Sequence, residues 1–158
     1  FPTQTIEIRN YIGDYLEGRG RADLAGQFSL GRFSMNLQSL ERTYIDKVFA
    51  LCDYYLQGKS KRYSRHLYDI YKLTPRIEFN DGFAVLVREV REHRSKMRIC
   101  PSADETVDVP AVISEFCDNS FYREDYQAIT DYFAKDAVSY DDVIGQMRTL
   151  VASNLFAK

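Results

Sequence analysis

Apolar residues recur at helical spacing along most of the chain. Between Leu40 and Leu56 they fall three or four positions apart, which predicts one long helix with a single buried stripe formed by Leu40, Tyr44, Val48, Leu51 and Tyr55. Shorter segments with the same spacing carry capping or stop residues at their ends. They predict further helices over Arg65–Leu73, after the cap Asn80, over Pro110–Cys117, after Asn119 or Ser120, and after the cap Ser139.

The first forty residues follow a different pattern. Phe33–Gln38 alternates apolar and polar residues, which predicts a strand with one buried face. The apolar positions from Ile6 to Leu16 predict one short helix, ended by the loop Gly18–Arg21. A lone strand needs a partner, and no second strand is obvious, so we expect the rest of its sheet to precede Phe1. The predicted fold class is mainly α, a helical bundle with one or two short strands near the N-terminus.

Composition is that of a globular protein with a substantial core. The chain has 158 residues, of which 45% are hydrophobic, and this excludes wholesale disorder. No apolar run is long enough to span a bilayer, so no membrane partner is expected. The three cysteines have no metal-ligand or CxxC spacing. They are expected to be core thiols of a protein of the cytoplasm, where thiols stay reduced.

Charge is distributed unevenly. Residues 1–100 hold 17 Lys and Arg against 12 Asp and Glu, whereas residues 101–158 hold 4 against 11. The basic excess is concentrated in Lys59–Arg98, which fits a face that binds anions such as RNA phosphates. Two alternatives stay open: solvated helix faces that differ in sign, and association of the basic half with an acidic partner or a second copy.

Two charged residues stand out by position. Lys47 falls within the apolar stripe of the long helix, so its ammonium must extend along the helix edge, pair with an anion, or face a cleft that holds a phosphate. Asp69 follows Arg65 by one turn and His66 by three residues. A local ion pair with Arg65 explains it as well as a role in handling a proton, metal or hydroxyl group.

The segments Ser39–Leu51 and Ser64–Leu73 together resemble the nucleotidyl transferase AbiEii/AbiGii toxin family. In that family a strand leads into a helix with an Arg-Thr pair and a later Lys, and a helix of the pattern Arg-His/Asp-Leu-Tyr-Asp-Leu follows. The matching residues here are Arg42, Thr43, Lys47, Arg65, His66, Tyr68 and Asp69. The matched core, residues 33–73, is specific because both segments occur in the family's order.

The resemblance implies the C-terminal part of a polymerase-β-like nucleotidyltransferase of a bacterial toxin–antitoxin or abortive-infection system. It implies catalytic roles for Lys47 and Asp69, and nucleotide binding by Arg42, Arg65 and His66. An NTP, Mg²⁺, an RNA acceptor such as tRNA, and a cognate antitoxin are the ligands and partners expected of the full-length protein. Residues 1–38 are then expected to be a remnant of the nucleotidyltransferase sheet region and linker, and residues 39–158 the C-terminal helical domain.

The sequence departs from the family pattern in one respect. The family binds Mg²⁺ through an Asp-x-Asp pair after a Gly-Ser turn, and no such arrangement occurs here. We therefore expect no metal site in this chain, and no activity from it alone. A non-catalytic helical module that binds RNA or a protein is the alternative function.

Overall fold

The computed structural model describes residues 3–133 and 137–157. The chain divides into two compact units, Phe1–Ser39 and Leu40–Lys158. Most of the helical structure belongs to the second unit, so the chain is mainly helical with a small sheet near its start, as predicted.

The first unit contains a two-stranded antiparallel sheet. Strand β1 (Thr3–Ile8) pairs with strand β2 (Phe33–Gln38), and Ile6 lies opposite Met35. The predicted helix was wrong for Ile6 and Ile8, and the expectation that Phe33–Gln38 has no partner within this chain was also wrong. Thr3–Ile8 alternates polar and apolar residues and is rich in β-branched side chains, which favours a strand.

Two short helices connect these strands. Helix α1 (Tyr11–Gly18) begins at the cap Asn10, whose side chain accepts a hydrogen bond from the Gly13 amide, and it ends at the predicted glycine loop. Helix α2 (Ala22–Gln27) follows. Gly13 is required by close packing, because a Cβ at this position would collide with the Leu30 carbonyl group.

The second unit is built around its first helix. Its helices are α3 (Leu40–Leu56), α4 (Arg65–Leu73), α5 (Asp81–Ser95), α6 (Val109–Asp118), α7 (Arg123–Phe133) and α8 (Tyr140–Ala152), with short 3-10 turns at Thr74–Arg76 and Pro101–Ala103. Helix α3 packs against α4, α5, α6 and the second 3-10 turn, while α8 packs against α4, α6 and α7. The core is therefore shared by all six helices.

Capping explains where most of these helices begin. Asn80, Asp108 and Ser139 each accept a hydrogen bond from an amide of the first helical turn. The predicted caps Asn80 and Ser139 are confirmed, and α6 begins one residue before Pro110. Helix α7 begins later than predicted, because Ser120 adopts a left-handed φ of 55° and extends the turn after α6.

The long helix α3 is buried on most of its circumference. Tyr44, Val48 and Leu51 of the predicted stripe are inaccessible to solvent, whereas Leu40 is exposed and Tyr55 half-buried. A less buried strip follows Thr43, Lys47, Ala50 and Tyr54 at helical spacing. Lys47 thus lies beside the apolar stripe, on the strip that solvent reaches. The predicted burial of Tyr140, Val143, Met147 and Leu150 on α8 is confirmed, as is that of Tyr122 and Tyr126, while Ile129 is half-buried and the side chain of Phe133 lies outside those described.

A buried ion network joins α3 to α5 and to the second 3-10 turn. Arg94 binds Asp53 at 2.6 Å and Asp46 at 3.1 Å, and Arg42 binds Asp46 at 2.9 Å. The Asp53 carboxylate also accepts hydrogen bonds from the Ser102 amide and hydroxyl, at 2.8 and 2.6 Å. Burial lowers the pKa of Arg94, but the neighbouring Asp53 carboxylate outweighs it, so the net shift is upward. The network fixes the loop after α5 onto α3.

The three cysteines are free, buried thiols, as predicted. Burial raises the pKa of Cys117 to about 12 and raises those of Cys52 and Cys100 as well. Among the helices of residues 3–133 and 137–157, none has both the length and the apolar composition that crossing a membrane requires.

Candidate functional site

The predicted catalytic pair meets across two consecutive helices of the second unit. The Lys47 ammonium on α3 donates a hydrogen bond of 2.7 Å to the Asp69 carboxylate on α4. Their side chains retain 23% and 38% of their solvent exposure, so the pair lies at the protein surface rather than in the core. Of the two partners open to Asp69 on sequence grounds, the structure selects Lys47 over Arg65.

His66 completes this small cluster. Its Nδ1 atom lies 3.8 Å from the Asp69 carboxylate, which is too far for a hydrogen bond but close enough for an electrostatic effect. Burial raises the pKa of the Asp69 carboxyl, but His66 and Lys47 together outweigh it, and the net pKa lies below its usual value. Asp69 is therefore an anion at neutral pH, flanked by two nitrogen-bearing side chains.

The two predicted nucleotide-binding arginines occupy different environments. Arg65 is the exposed first residue of α4 and shares the Asp69 face of that helix, one turn away. Arg42 is buried and belongs to the ion network with Asp46. Because it precedes Lys47 by five helical positions, it projects about 140° around α3 from that residue. The structure thus brings Lys47, Asp69 and His66 together, with Arg65 beside them and Arg42 on another face.

An aromatic array adjoins the Lys47–Asp69 pair. The rings of Tyr54 on α3 and Tyr63 in the loop before α4 stack with centroids 3.5 Å apart and planes inclined by 17°. The His66 ring is nearly parallel to that of Tyr54, with centroids 6.2 Å apart and an angle of 5°. His66 therefore touches the ion pair on one side and the aromatic array on the other.

The loop that carries Tyr63 is fixed by a single carboxylate. Asp125 on α7 accepts hydrogen bonds from the Arg62 amide at 2.8 Å, the Ser64 amide at 3.2 Å and the Ser64 hydroxyl at 2.6 Å. Arg62 has a φ of 73°, a left-handed conformation that a side chain disfavours and that the Asp125 contacts maintain. Asp125 thereby sets the start of α4 and the position of Tyr63.

The described residues do not form a magnesium site on their own. Mg²⁺ in nucleotidyl transfer is held by more than one carboxylate, and Asp69 is already engaged by Lys47. Within the described ranges, no three His, Cys, Asp or Glu side chains are arranged to hold a metal ion. No catalytic step below is assigned to a metal bound by these residues.

Sequence reasoning missed Tyr54, Tyr63 and Asp125. Tyr63 carried a usable signal, since it lies among four cations in Lys59–Arg65, an arrangement typical of segments that contact nucleic acid. Asp125 carried none, because its contacts lie more than sixty positions away along the chain. The stacking of Tyr54 with Tyr63 depends in the same way on how the loop folds back onto α3.

Comparison with known proteins identifies the family. The model of the family described as nucleotidyl transferase AbiEii toxin, type IV TA system, matches residues 1–145. A search of the curated proteins and a search of the solved structures each found no match. The family match extends well beyond the core of residues 33–73 and includes every residue of the Lys47–Asp69 cluster. The chain belongs to the AbiEii family of nucleotidyl transferase toxins.

Proposed function

We propose that the second unit supplies one wall of a site that transfers a nucleotide from an NTP to an RNA acceptor. The supporting observation is the 2.7 Å contact between Lys47 and Asp69, two residues that the family resemblance marks as catalytic. Both side chains are reachable by solvent, and a bound nucleotide therefore has access to them.

Lys47 is the phosphate-binding group in this proposal. An ammonium has three N–H donors, and Asp69 takes one of them within the described part of the chain. The others are available to triphosphate oxygens, whose negative charge grows as the leaving pyrophosphate separates. Asp69 acts by holding the flexible lysine side chain in one place, so less conformational freedom is lost when the nucleotide binds.

The proposed reaction is an in-line displacement at phosphorus. An acceptor hydroxyl attacks the α-phosphorus of the NTP, and the bond from that phosphorus to the bridging oxygen of pyrophosphate breaks. Pyrophosphate leaves with the electron pair of that bond, and the hydroxyl proton passes to a base. Arg65 and His66 are proposed to contact the nucleotide, while Arg42 contributes through the ion network that holds α3.

The acceptor is proposed to be RNA, with tRNA the first candidate. The loop before α4 presents exposed cations at Lys59, Lys61 and Arg62, and Arg65 continues this surface onto α4. Such a cluster neutralises backbone phosphates without reading sequence. It lies on the same side of α4 as the Lys47–Asp69 pair, since Arg65 and Asp69 share one helix face.

The family description also supports a partner. It names a type IV toxin–antitoxin system, and we propose that a cognate antitoxin restrains this protein in the cell. Action in the cytoplasm, where NTPs and RNA are abundant, and a role in abortive infection follow from the same proposal. Mg²⁺ is expected in the active full-length protein, held by carboxylates other than those described above.

A non-catalytic RNA-binding module is the second candidate. The same exposed cations favour it, as does the lack of an Asp-x-Asp pair in this sequence. It predicts that the affinity for RNA falls steeply as salt rises, because released counterions drive the binding. A salt-insensitive affinity, or no RNA binding, would remove it.

The direct test is transfer of radiolabelled nucleotide from each NTP to RNA by the full-length gene product. Replacing Lys47 by Ala should lower the rate by about 10²-fold, a typical effect of losing one charge-stabilising donor. Lys72→Ala is the matched control, because this exposed lysine on α4 lies outside the cluster and its loss should leave the rate unchanged. Equal rates for wild type and Lys47→Ala would refute the site assignment.

A further inference from the structure

We propose that the stacked rings of Tyr54 and Tyr63 are a platform for a nucleobase, beside the Lys47 ammonium that receives the phosphates. This inference rests on the proposed function and adds the part of the substrate that the second unit recognises. The base belongs either to the incoming NTP or to the end of the acceptor RNA. The chemistry of recognition, stacking on aromatic rings, is the same in both cases.

The spacing along α3 places both groups on one strip of the helix. Tyr54 follows Lys47 by seven positions, which is close to two full turns and about 10 Å along the axis. Ala50 lies between them on the same strip, and its small side chain leaves the surface between the ammonium and the ring low. A base and its phosphates are separated by a comparable span, so one nucleotide can contact both ends.

His66 links the two ends from the side of α4. Its ring is parallel to that of Tyr54, and its Nδ1 atom faces the Asp69 carboxylate. Within the described residues this buried Nδ1 atom has no hydrogen-bond partner. Lys47, Asp69, His66, Tyr54 and Tyr63 therefore form one continuous row of neighbouring side chains.

The platform is held in place before any ligand arrives. Tyr63 is flanked by Arg62 and Ser64, and the backbone amides of both donate to Asp125. A fixed ring loses little freedom when a base stacks on it, which favours binding. Tyr54 and Tyr63 are both half-buried, so each is supported by the protein while part of its ring remains accessible.

The surroundings favour a nucleobase over other flat ligands. Lys61, Arg62 and Arg65 are exposed around Tyr63, so an anionic ligand is attracted to this position. Aromatic rings interleaved with cations bind single-stranded nucleic acid in this way, and every base has a face that stacks. The platform therefore recognises a base as a class, without selecting one base by hydrogen bonds.

A tryptophan probe tests the platform directly. The chain contains no Trp, so Tyr54→Trp introduces a single indole into the array and preserves its aromatic character. Its fluorescence is titrated with ATP, with CTP, with inorganic tripolyphosphate and with a short single-stranded RNA. We expect saturable quenching by ligands that carry a base, and no quenching by tripolyphosphate. Saturation with NTPs alone assigns the platform to the incoming nucleotide, and saturation with RNA alone assigns it to the acceptor.

Tyr11→Trp is the matched control. Tyr11 is 94% exposed and belongs to the first unit, so an indole there should show only linear, collisional quenching. If Tyr54→Trp shows the same linear quenching, the platform does not exist. This result combined with transfer that depends on Lys47 would remove the platform and leave the proposed function intact. Saturable quenching without any transfer would keep the base-binding surface and remove the catalytic proposal.

A second pair of variants guards against a folding defect in the probe. Tyr63→Phe keeps the stacked ring, whereas Tyr63→Leu keeps an apolar side chain of similar size without it. Tyr63→Leu should weaken the binding of the quenching ligand about tenfold, measured by equilibrium dialysis, and Tyr63→Phe should not. Equal affinities for the Phe and Leu variants would overturn the inference.

Discussion

Asp125 and Ser64, 61 positions apart in the chain, are joined by two hydrogen bonds through one carboxylate oxygen, from the Ser64 amide and its hydroxyl. The other carboxylate oxygen holds the Arg62 amide. This contact positions the N-terminal end of α4 against α7. Through it, a residue remote in sequence sets the position of His66 and Tyr63 beside the Lys47–Asp69 pair.

Removing this carboxylate should loosen the loop without unfolding the protein. In Asp125→Ala, the Arg62 and Ser64 amides lose a charged acceptor that contributes about 1.5–3 kcal/mol per bond at most. Trypsin cleaves after lysine and arginine, so cleavage after Lys61 and Arg62 reports the opening of this loop. We expect cleavage at least about tenfold faster than in wild type.

Asp118→Ala is the control for that digestion. Asp118 also binds an arginine, Arg148, but both side chains are exposed and lie outside the loop. Its loss should leave the cleavage rate at Lys61 and Arg62 unchanged. Equal rates for Asp125→Ala and wild type would show that other contacts fix the loop.

The buried ion network predicts a large loss of stability. Asp53 retains 4% of its side-chain exposure, and its replacement by Ala leaves Arg94, 13% exposed, without its closest partner. Breaking one side of a buried pair typically lowers the free energy of unfolding by about 3 kcal/mol or more. Urea denaturation measures this change. A loss within about 0.5 kcal/mol, the scale of an exposed pair, would contradict the network's role.

The lowered pKa of Asp69 predicts a specific pH dependence. Its pKa in the folded protein lies below the ordinary value of 3.8, so the folded state favours the ionised carboxylate. The pair with Lys47 therefore stabilises the fold fully above that pH, and the contribution is lost as pH falls through the lowered pKa. The difference in unfolding free energy between wild type and Asp69→Asn should shrink below pH 3.8. A difference that stays constant down to strongly acidic pH would contradict the shift.

The helices were predictable because their signals are local. The bounds of α3 and α4 follow from apolar spacing and from the stop at Thr74–Pro75, all of which lie within the segments themselves. Strand β1 was missed because two isoleucines were assigned to a helical stripe, although the alternation of Thr3–Ile8 favours a strand. The start of α7 was missed because the left-handed Ser120 carries no distinctive residue type.

The candidate site was predictable only in part. The apolar pattern marked Lys47 as unusual but could not name its partner, since Arg65 was an equally good neighbour for Asp69. The family resemblance supplied that pairing, and the structure shows the contact. The contributions of Tyr54, Tyr63 and Asp125 depend on how the loop after α3 folds back, and this is fixed by packing between distant segments.

Lys47 and Asp69 are proposed to act as one catalytic unit, and a double-mutant cycle tests this most directly. Transfer of nucleotide to RNA is measured for the full-length wild type, Lys47→Ala, Asp69→Asn and the double variant. We predict that Lys47→Ala loses about 10²-fold, that Asp69→Asn loses about tenfold or more, and that the double variant is no slower than Lys47→Ala alone. Wild-type rates in both single variants, or losses that simply multiply, would contradict the account.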